Sequence, residues 1–143
     1  MSANPSTANA SKQLLDRLLA TLPAGYSEST VELPNIAFTK PTSSKWLRAT
    51  IIIQDVNNVQ AGGLWLRYDG LFVVDVLYPL GDGTINPLTD AEAIAAIYQN
   101  QKFGGVNCQE ALILDIGEEK LKQGKKETCW YHVQVEVDFY YEG

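Results

Sequence analysis

The last strand-like segment of the chain constrains the fold more than any other feature. It runs from Trp130 to Tyr141, and between Tyr131 and Phe139 apolar and polar residues alternate without a break. One face carries tyrosines, valines and a phenylalanine, and the opposite face carries polar side chains: His132, Gln134, Glu136 and Asp138. Strict alternation is typical of a half-buried β-strand. At about 3.4 Å per residue such a strand reaches ~40 Å, comparable to the diameter of a compact chain of this size, so we expect it to cross the whole domain or extend beyond it.

The length, composition and net charge of the chain favour one soluble domain. The chain has 143 residues and 45% hydrophobic content, which fits a single core. Its start is polar, and no apolar run approaches the ~20 residues that cross a bilayer. Eleven basic and seventeen acidic residues give a net charge of −6, which opposes nonspecific DNA binding. We expect a flexible segment at 1–10, one domain at 11–143, synthesis in the cytoplasm and no membrane association.

Two segments have helical periodicity. The first begins at Ser11, stops before Pro23 and has leucines on one face: Leu14, Leu15, Leu18, Leu19 and Leu22. The second begins at Asn86-Pro87, stops before Gly104 and has apolar residues at helical spacing: Ala91, Ile94, Ala95 and Tyr98. Each can cover part of a sheet.

The remaining segments predict strands and loops. Residues 35–40 lie between two prolines, which suits an edge strand. Residues 46–54 are apolar on both faces and predict a central strand, followed by a loop at 55–63. Residues 106–116 predict another strand, and the charged stretch 117–127 predicts a connection whose simplest interpretation is a solvated hairpin tip.

The strongest short-range signal is the dipeptide Asp69-Gly70 between two apolar runs. Asp-Gly accepts the positive φ angles of a tight turn, so residues 64–78 predict a β-hairpin. The resulting element order is α-β-β-β-β-α-β-β. It predicts a single-domain α+β fold, with a largely antiparallel or mixed sheet of about five to six strands and two helices packed on it.

No cluster of residues indicates catalysis, a cofactor or a metal. The single histidine, His132, lies mid-strand on the polar face, which favours a solvated or interface role over a catalytic base. Cys108 and Cys129 form no Cys-x-x-Cys motif and are expected to be reduced structural residues. For the three tryptophans, core or subunit-interface roles are favoured over a ligand cage: Trp46, Trp65 and Trp130.

Several segments taken together resemble the tail terminator (tail completion) proteins of long-tailed bacteriophages. They occur in the family's order over roughly residues 11–141. The segments are the leucine-rich first helix, Pro34-Asn-Ile-Ala-Phe38 followed by Pro41, Trp46-Leu-Arg48, Gly70-Leu-Phe-Val-Val-Asp-Val76, Pro79-x-Gly81-x-Gly83, the alanine-rich helix ending near Phe103, and the closing strand from Trp130.

This resemblance implies a structural virion protein without enzyme activity. The family's subunits assemble into a six-membered ring on the head-proximal end of the tail tube, where they stop tube growth and offer a docking surface to the head. The implied partners are further copies of the chain, the tail tube protein and the head–tail connector protein, with DNA only passing through the lumen. The free protein can be monomeric, since such rings can close only on the tube end.

In a ring held together by heterologous contacts, each subunit needs two different surfaces that are complementary to each other. Polar residues on the predicted strands are our interface candidates: Arg67, Asp75, Glu136 and Asp138. Six copies at −6 each would carry −36, so we hypothesise that acidic groups line part of the channel and let DNA pass without sticking. The alternatives are a head completion or neck protein of the same virion and, from another class, a small-ligand binding module.

Overall fold

The computed structural model describes residues 7–58, 66–123 and 126–142. These form two helices and a six-stranded sheet with the strand order β1-β2-β3-β6-β5-β4. The pairing of β1 with β2 is parallel, and all other pairs are antiparallel. The elements are α1 (Thr7–Ala20), β1 (Val31–Glu32), β2 (Trp46–Asn58), β3 (Leu66–Pro79), α2 (Ile85–Tyr98), β4 (Lys102–Phe103), β5 (Val106–Gln123) and β6 (Lys126–Glu142). The predicted α+β class with a mixed sheet and two helices is confirmed.

Both helices pack on one face of the sheet, which we call the covered face. From β6 it receives Val133, Val135, Val137, Phe139 and Tyr141, each at most 1% exposed. The predicted buried side of the last strand is therefore confirmed. The helices contribute the apolar residues at their predicted spacing: Leu14 and Leu18 from α1, and Ala91, Ile94, Ala95 and Tyr98 from α2.

Helix α1 begins at Thr7, one turn before the predicted start at Ser11. The extra turn is explained by Ala10, which is 2% exposed and belongs to the core. Residues 1–6 of the expected flexible segment lie outside the described residues. No helix in the described ranges is long and apolar enough to span a membrane.

The hairpin predicted at Asp69-Gly70 is wrong. Strand β3 runs straight through this dipeptide, and Gly70 pairs with Ile53 on one side and Phe139 on the other. A Cβ atom at Gly70 would lie 2.5 Å from Phe139 Cζ and 2.8 Å from the carbonyl oxygen of Ile52. The glycine is thus needed for close packing within a strand and not for a turn. Glycine inside a strand commonly marks such a close approach. The real hairpin joins β2 to β3, and its connection at 59–65 lies outside the described residues.

Other strand boundaries also differ from the prediction. Strand β2 continues to Asn58, through the first residues of the loop predicted at 55–63. Residues 35–40 form no strand, and the short edge strand is Val31–Glu32 instead. Strand β5 does not stop at Ile116, because Gly117 lies at a register shift with φ +96° and lets the strand continue to Gln123. Bulges of this kind use a glycine in the left-handed region. The resulting order is α-β-β-β-α-β-β-β.

Strands β5 and β6 extend beyond the sheet as a two-stranded arm. The last pair between β3 and β6 is Pro79 with Trp130, whereas β6 begins at Lys126. Residues 120–123 and 126–129 therefore pair only with each other, over about 14 Å. We refer to the paired residues 120–123 and 126–129 together as the arm. The predicted overhang of the last strand is found at its amino-terminal end.

Candidate interface on the open face of the sheet

The second face of the sheet carries no helix in the described part of the chain, and we call it the open face. Residues opposite each other on neighbouring strands share a face, so the pairings place side chains in rows across the sheet. One row is Thr50, Val73, Glu136 and Leu112, and the next is Ile52, Leu71 and Asp138. Ile52 is 46% exposed and Leu112 is 54% exposed.

All four interface candidates lie on this face or at its end, but their environments differ. Glu136 is half-buried and Asp138 is exposed. Neither carboxylate makes a hydrogen bond or ion pair within the described ranges. Arg67 lies at the far end, where its guanidinium stacks on Tyr140 at 4.0 Å and its Nε donates to Asp69 Oδ1 at 3.1 Å.

Asp75 is buried, at 3% exposure, in the centre of an ionic network. Its Oδ1 accepts a hydrogen bond from Gln134 Nε2 at 2.9 Å and lies 2.5 Å from His132 Nε2. Its Oδ2 accepts from Arg48 Nε at 2.9 Å. Asp75 can thus affect a neighbouring subunit only through the residues that cover it.

His132 is 5% exposed, so the solvated role expected for it is wrong. Its Nδ1 lies against Glu119 Oε2, a contact close enough for an ion pair but outside hydrogen-bond geometry. Arg48 Nη2 lies 3.9 Å from Glu119 Oε1 and links the two carboxylates. Carboxylate oxygens therefore face both ring nitrogens, and these contacts fix the orientation of the imidazole ring between β3 and β5.

The network changes the acidity of Asp75. Burial alone raises the pKa of a carboxyl group, but the hydrogen bonds from His132, Gln134 and Arg48, with the charge of Arg48, outweigh burial and lower the pKa of Asp75. Asp75 therefore stays ionised well into acid solution and ties β2, β3 and β6 together beneath the open face.

A tryptophan cluster closes the arm end of the same face. Trp46 and Trp130 are at most 1% exposed and pack edge to face with ring centroids 5.9 Å apart. Leu77 is buried with them, and Phe38 and Leu121 pack against the cluster. The core role favoured for these two tryptophans is confirmed, which removes them from any ligand cage. Trp65 lies outside the described residues.

The residues that complete the network were missed by sequence reasoning. Glu119 lies in the stretch predicted as a connection, and only the bulge at Gly117 returns it to the open face beside His132. Arg48 in an otherwise apolar strand was the one available signal, because a basic residue beside a buried tryptophan needs an acidic partner.

The cysteines and possible metal ligands add no second site. Both cysteines are free, and burial raises the pKa of the Cys108 thiol to about 12. Within the described ranges, no group of three or more His, Cys, Asp and Glu side chains is placed to hold a metal ion.

These features define a single-domain α+β protein whose distinctive surface is the face of a long, protruding sheet on which no helix of the described residues packs. The chain belongs to the phage tail terminator family, because the family model described as phage tail terminator protein matches residues 9–139. It is therefore a phage structural protein with a role in tail completion, and a component of the virion. The resemblance drawn from the sequence is confirmed.

Solved structures agree with this fold. One of them has a TM-score of 0.57 and 20% sequence identity, covering 94% of this chain and 96% of its own. At this identity the likeness concerns the fold alone. No protein with a curated description matches the chain.

Proposed function

We propose that the protein caps the head-proximal end of the tail tube as a ring of copies, six in number, which ends tube polymerisation and forms part of the surface on which the head docks. The observation that carries this proposal is the family match over residues 9–139. Its partners are then the tail tube protein, the head–tail connector protein and further copies of the chain.

The two edges of the sheet support head-to-tail association. Beyond Arg48 the outer edge of β2 has no strand partner in the described residues, because β1 pairs only with Leu47 and Arg48. The outer edge of β5 pairs with β4 only at Val106 and Asn107. Unpaired edges favour contact with another chain. Since the two edges differ, contact between them is heterologous, and a closed rotation gives a ring.

The open face is our proposed contact surface within this ring. Ile52 and Leu112 supply exposed apolar area, and Glu136 and Asp138 lie in the same rows, where a basic partner surface would complement their charge. Arg67 contributes at the end of the face, whereas Asp75 acts from beneath by holding Arg48 and His132. The net charge of −6 supports acidic groups along part of the channel, and a ring with a strongly basic lumen would refute that arrangement.

Deletion of the gene from the phage genome tests the proposal. We expect tails of irregular, extended length that fail to join heads, with normal length restored by the protein supplied in trans. Electron microscopy of the particles gives the length distribution. Tails of normal length that fail only at head joining would instead assign the protein to the neck, and normal infectious particles would exclude both roles.

A further inference from the structure

The outer edge of β2 carries an uncharged segment that favours strand pairing. Residues 49–53 have the sequence Ala-Thr-Ile-Ile-Ile and lie in a regular stretch that ends at the register shift after Ile53. Strand β1 pairs no further than Arg48, and within the described ranges no backbone outside β3 is hydrogen-bonded to residues 50–53. Edge strands of monomeric proteins are commonly protected by lysine, proline or a bulge. This segment has none of the three, so its edge is suited to pair with a strand of another chain.

The outer edge of β5 carries a segment of the same length. Residues 111–115 have the sequence Ala-Leu-Ile-Leu-Asp and lie between the two register shifts of the strand. Pairing on this side ends earlier in the chain, where Asn100 N donates to Gln109 O at 2.9 Å. In the described part of the chain, residues 111–115 therefore have a strand partner on one side alone, which is β6. The sheet thus offers a five-residue segment at each of its two edges.

The directions of the strands suit pairing of these two segments between copies. Strands β2, β3, β6 and β5 are successive neighbours, and each neighbouring pair is antiparallel. Strand β5 therefore runs opposite to β2. In a ring whose axis follows the strands, rotation from one copy to the next keeps every strand direction. The β5 edge of one copy then meets the β2 edge of the next in antiparallel orientation, which is the arrangement of the other long strands.

One antiparallel register pairs all five residues of both segments, and in this register the two faces agree. Ile52 then lies opposite Leu112, and both belong to the open face and are exposed in the isolated subunit. Ile51 lies opposite Ile113, and both pack against the core on the covered face. A shift by one residue would set open-face residues against covered-face residues. The two segments therefore match in length, direction and face.

We propose that residues 49–53 of one copy pair with residues 111–115 of the next, so that the sheet continues from subunit to subunit around the ring. This inference rests on the proposed ring and names the strands that join its copies. Pairing of two β2 edges would instead close a dimer and leave both β5 edges open.

The small size of this contact agrees with a protein that is monomeric until it meets the tube end. Five residues a side are far fewer than the roughly 20–30 residues a side of a stable complex. On the tube end each copy makes the contact at both edges, and the tube holds neighbouring copies at a high effective concentration.

Charge exchange tests the register in assembled tails. Leu112→Lys and Ile52→Glu are each expected to lower tail completion in trans at least tenfold, because each places a charge against an apolar side chain of the next copy. In Ile52→Glu/Leu112→Lys the opposite charges face each other across the contact, and at least ten times more tails are expected to be completed than with Leu112→Lys alone. Within one chain the two positions lie three strands apart, so this recovery reports a contact between copies.

The matched control for the exchange is Ile85→Glu/Leu112→Lys. It has the same net charge, but Ile85 is at the start of α2 and outside both segments, so no recovery is expected. Urea unfolding of each purified variant reports whether it folds.

Disulfide formation tests the same pair without charges. Ile52→Cys and Leu112→Cys are made separately in a Cys108→Ala/Cys129→Ser background, mixed in equal amounts, loaded on tails that lack the protein and oxidised. The expected product is a dimer that joins position 52 of one chain to position 112 of another, because opposite residues on antiparallel strands have the spacing that a disulfide requires. Thr50→Cys mixed with Leu112→Cys is the matched control. These positions lie on a diagonal about 7–8 Å apart and are expected to couple at least fivefold less.

The outcomes separate this contact from the proposed function. Dimers between two Ile52→Cys chains would assign β2 to an isologous contact, and a disulfide to another tail protein would assign the edge to that protein; either result overturns the proposal. Absence of dimers, or a folded double variant no better than Leu112→Lys, overturns it as well, even if deletion of the gene gives overlong tails. Dimers joining positions 52 and 112 support the shared sheet, and they do so even if the deletion gives tails of normal length and thereby refutes the tail-ending role.

Discussion

At the scale of single residues, Gly70 and Asp75 show how a local pattern acquires a different meaning in the sheet. The Asp-Gly dipeptide is typical of tight turns. Gly70, however, does not have the positive φ that such a turn requires, and it lies against the Phe139 ring. Asp75 is a charged residue of the kind expected on the exposed side of a strand, yet it is buried at the centre of an ionic network. In both cases the cross-strand neighbours decide the role.

Gly70→Ala is expected to destabilise the fold by about 1–3 kcal/mol, because the new methyl group overlaps the Phe139 ring and a backbone carbonyl. Phe139→Leu removes the ring edge that the new methyl group would overlap. The double variant is therefore expected to lose less unfolding free energy than the two single variants lose in sum. Urea denaturation of the four proteins measures the coupling. Strictly additive effects would mean that the ring is not what excludes a side chain at Gly70.

Asp75→Asn is expected to cost about 3 kcal/mol at pH 7, since it removes the buried anion on which the buried His132 and the half-buried Arg48 converge. Asp16→Asn, at an exposed pair with Lys12, is the control and is expected to change stability by less than about 0.5 kcal/mol.

The same variant tests the pH dependence. Because the pKa of Asp75 is lowered in the folded protein, its stabilisation is complete above the ordinary carboxyl value of 3.8 and is lost as pH falls from there through the lowered pKa. Unfolding free energies measured from pH 7 to pH 2.5 should fall less steeply for Asp75→Asn than for wild type. Parallel curves for the two proteins would contradict the lowered pKa.

At the scale of elements, the β5–β6 hairpin divides into a part that stabilises the domain and a part that does not. Trp130 marks the boundary, because it forms the last pair with β3 and fills the tryptophan cluster. Toward the sheet, β6 buries its alternating apolar face under the helices. Beyond Trp130, Leu121 still packs on this cluster, whereas residues 122–123 and 126–127 pair only with each other.

Replacing residues 122–127 by an Asn-Gly turn between Leu121 and Thr128 is expected to change the free energy of unfolding by less than about 1 kcal/mol, since the removed strand residues pair only with each other. Trp130→Ala is expected to cost about 3–5 kcal/mol by opening a cavity against Trp46. Thermal and urea unfolding measure both. A large loss from the shortened arm would show that its outer part packs on the domain.

At the scale of the whole molecule, both helices lie on one face of the sheet, and the other face is the contact surface that we propose for assembly. Leu112→Lys is expected to abolish tail completion while changing stability by less than about 0.5 kcal/mol, because the side chain is 54% exposed in the isolated subunit. Ile85→Lys is the matched control, at 73% exposure at the start of α2 on the covered side, and is expected to complete tails normally. Equal activity of the two variants would remove the open face from the interface.

The periodicity of the sequence determined those helices and strands that bury one face and expose the other. The alternation of β6 and the apolar spacing of the two helices were read correctly, since burial of a strand or helix face requires those periods whatever the partner. The ordered family segments likewise determined the phage tail terminator family. The polar side of the same alternation gave Glu136 and Asp138 as interface candidates, and this role stays a prediction.

Only the tertiary structure decided what depends on contacts between distant residues. The close approach of Phe139 places Gly70 inside a strand, and the bulge at Gly117 brings Glu119 to His132. Neither has a local signature, because a strand's register and the depth of a side chain are set by neighbours far away in the chain. For the same reason the long last strand could be predicted from its alternation, whereas the direction in which it leaves the domain follows from where β3 ends.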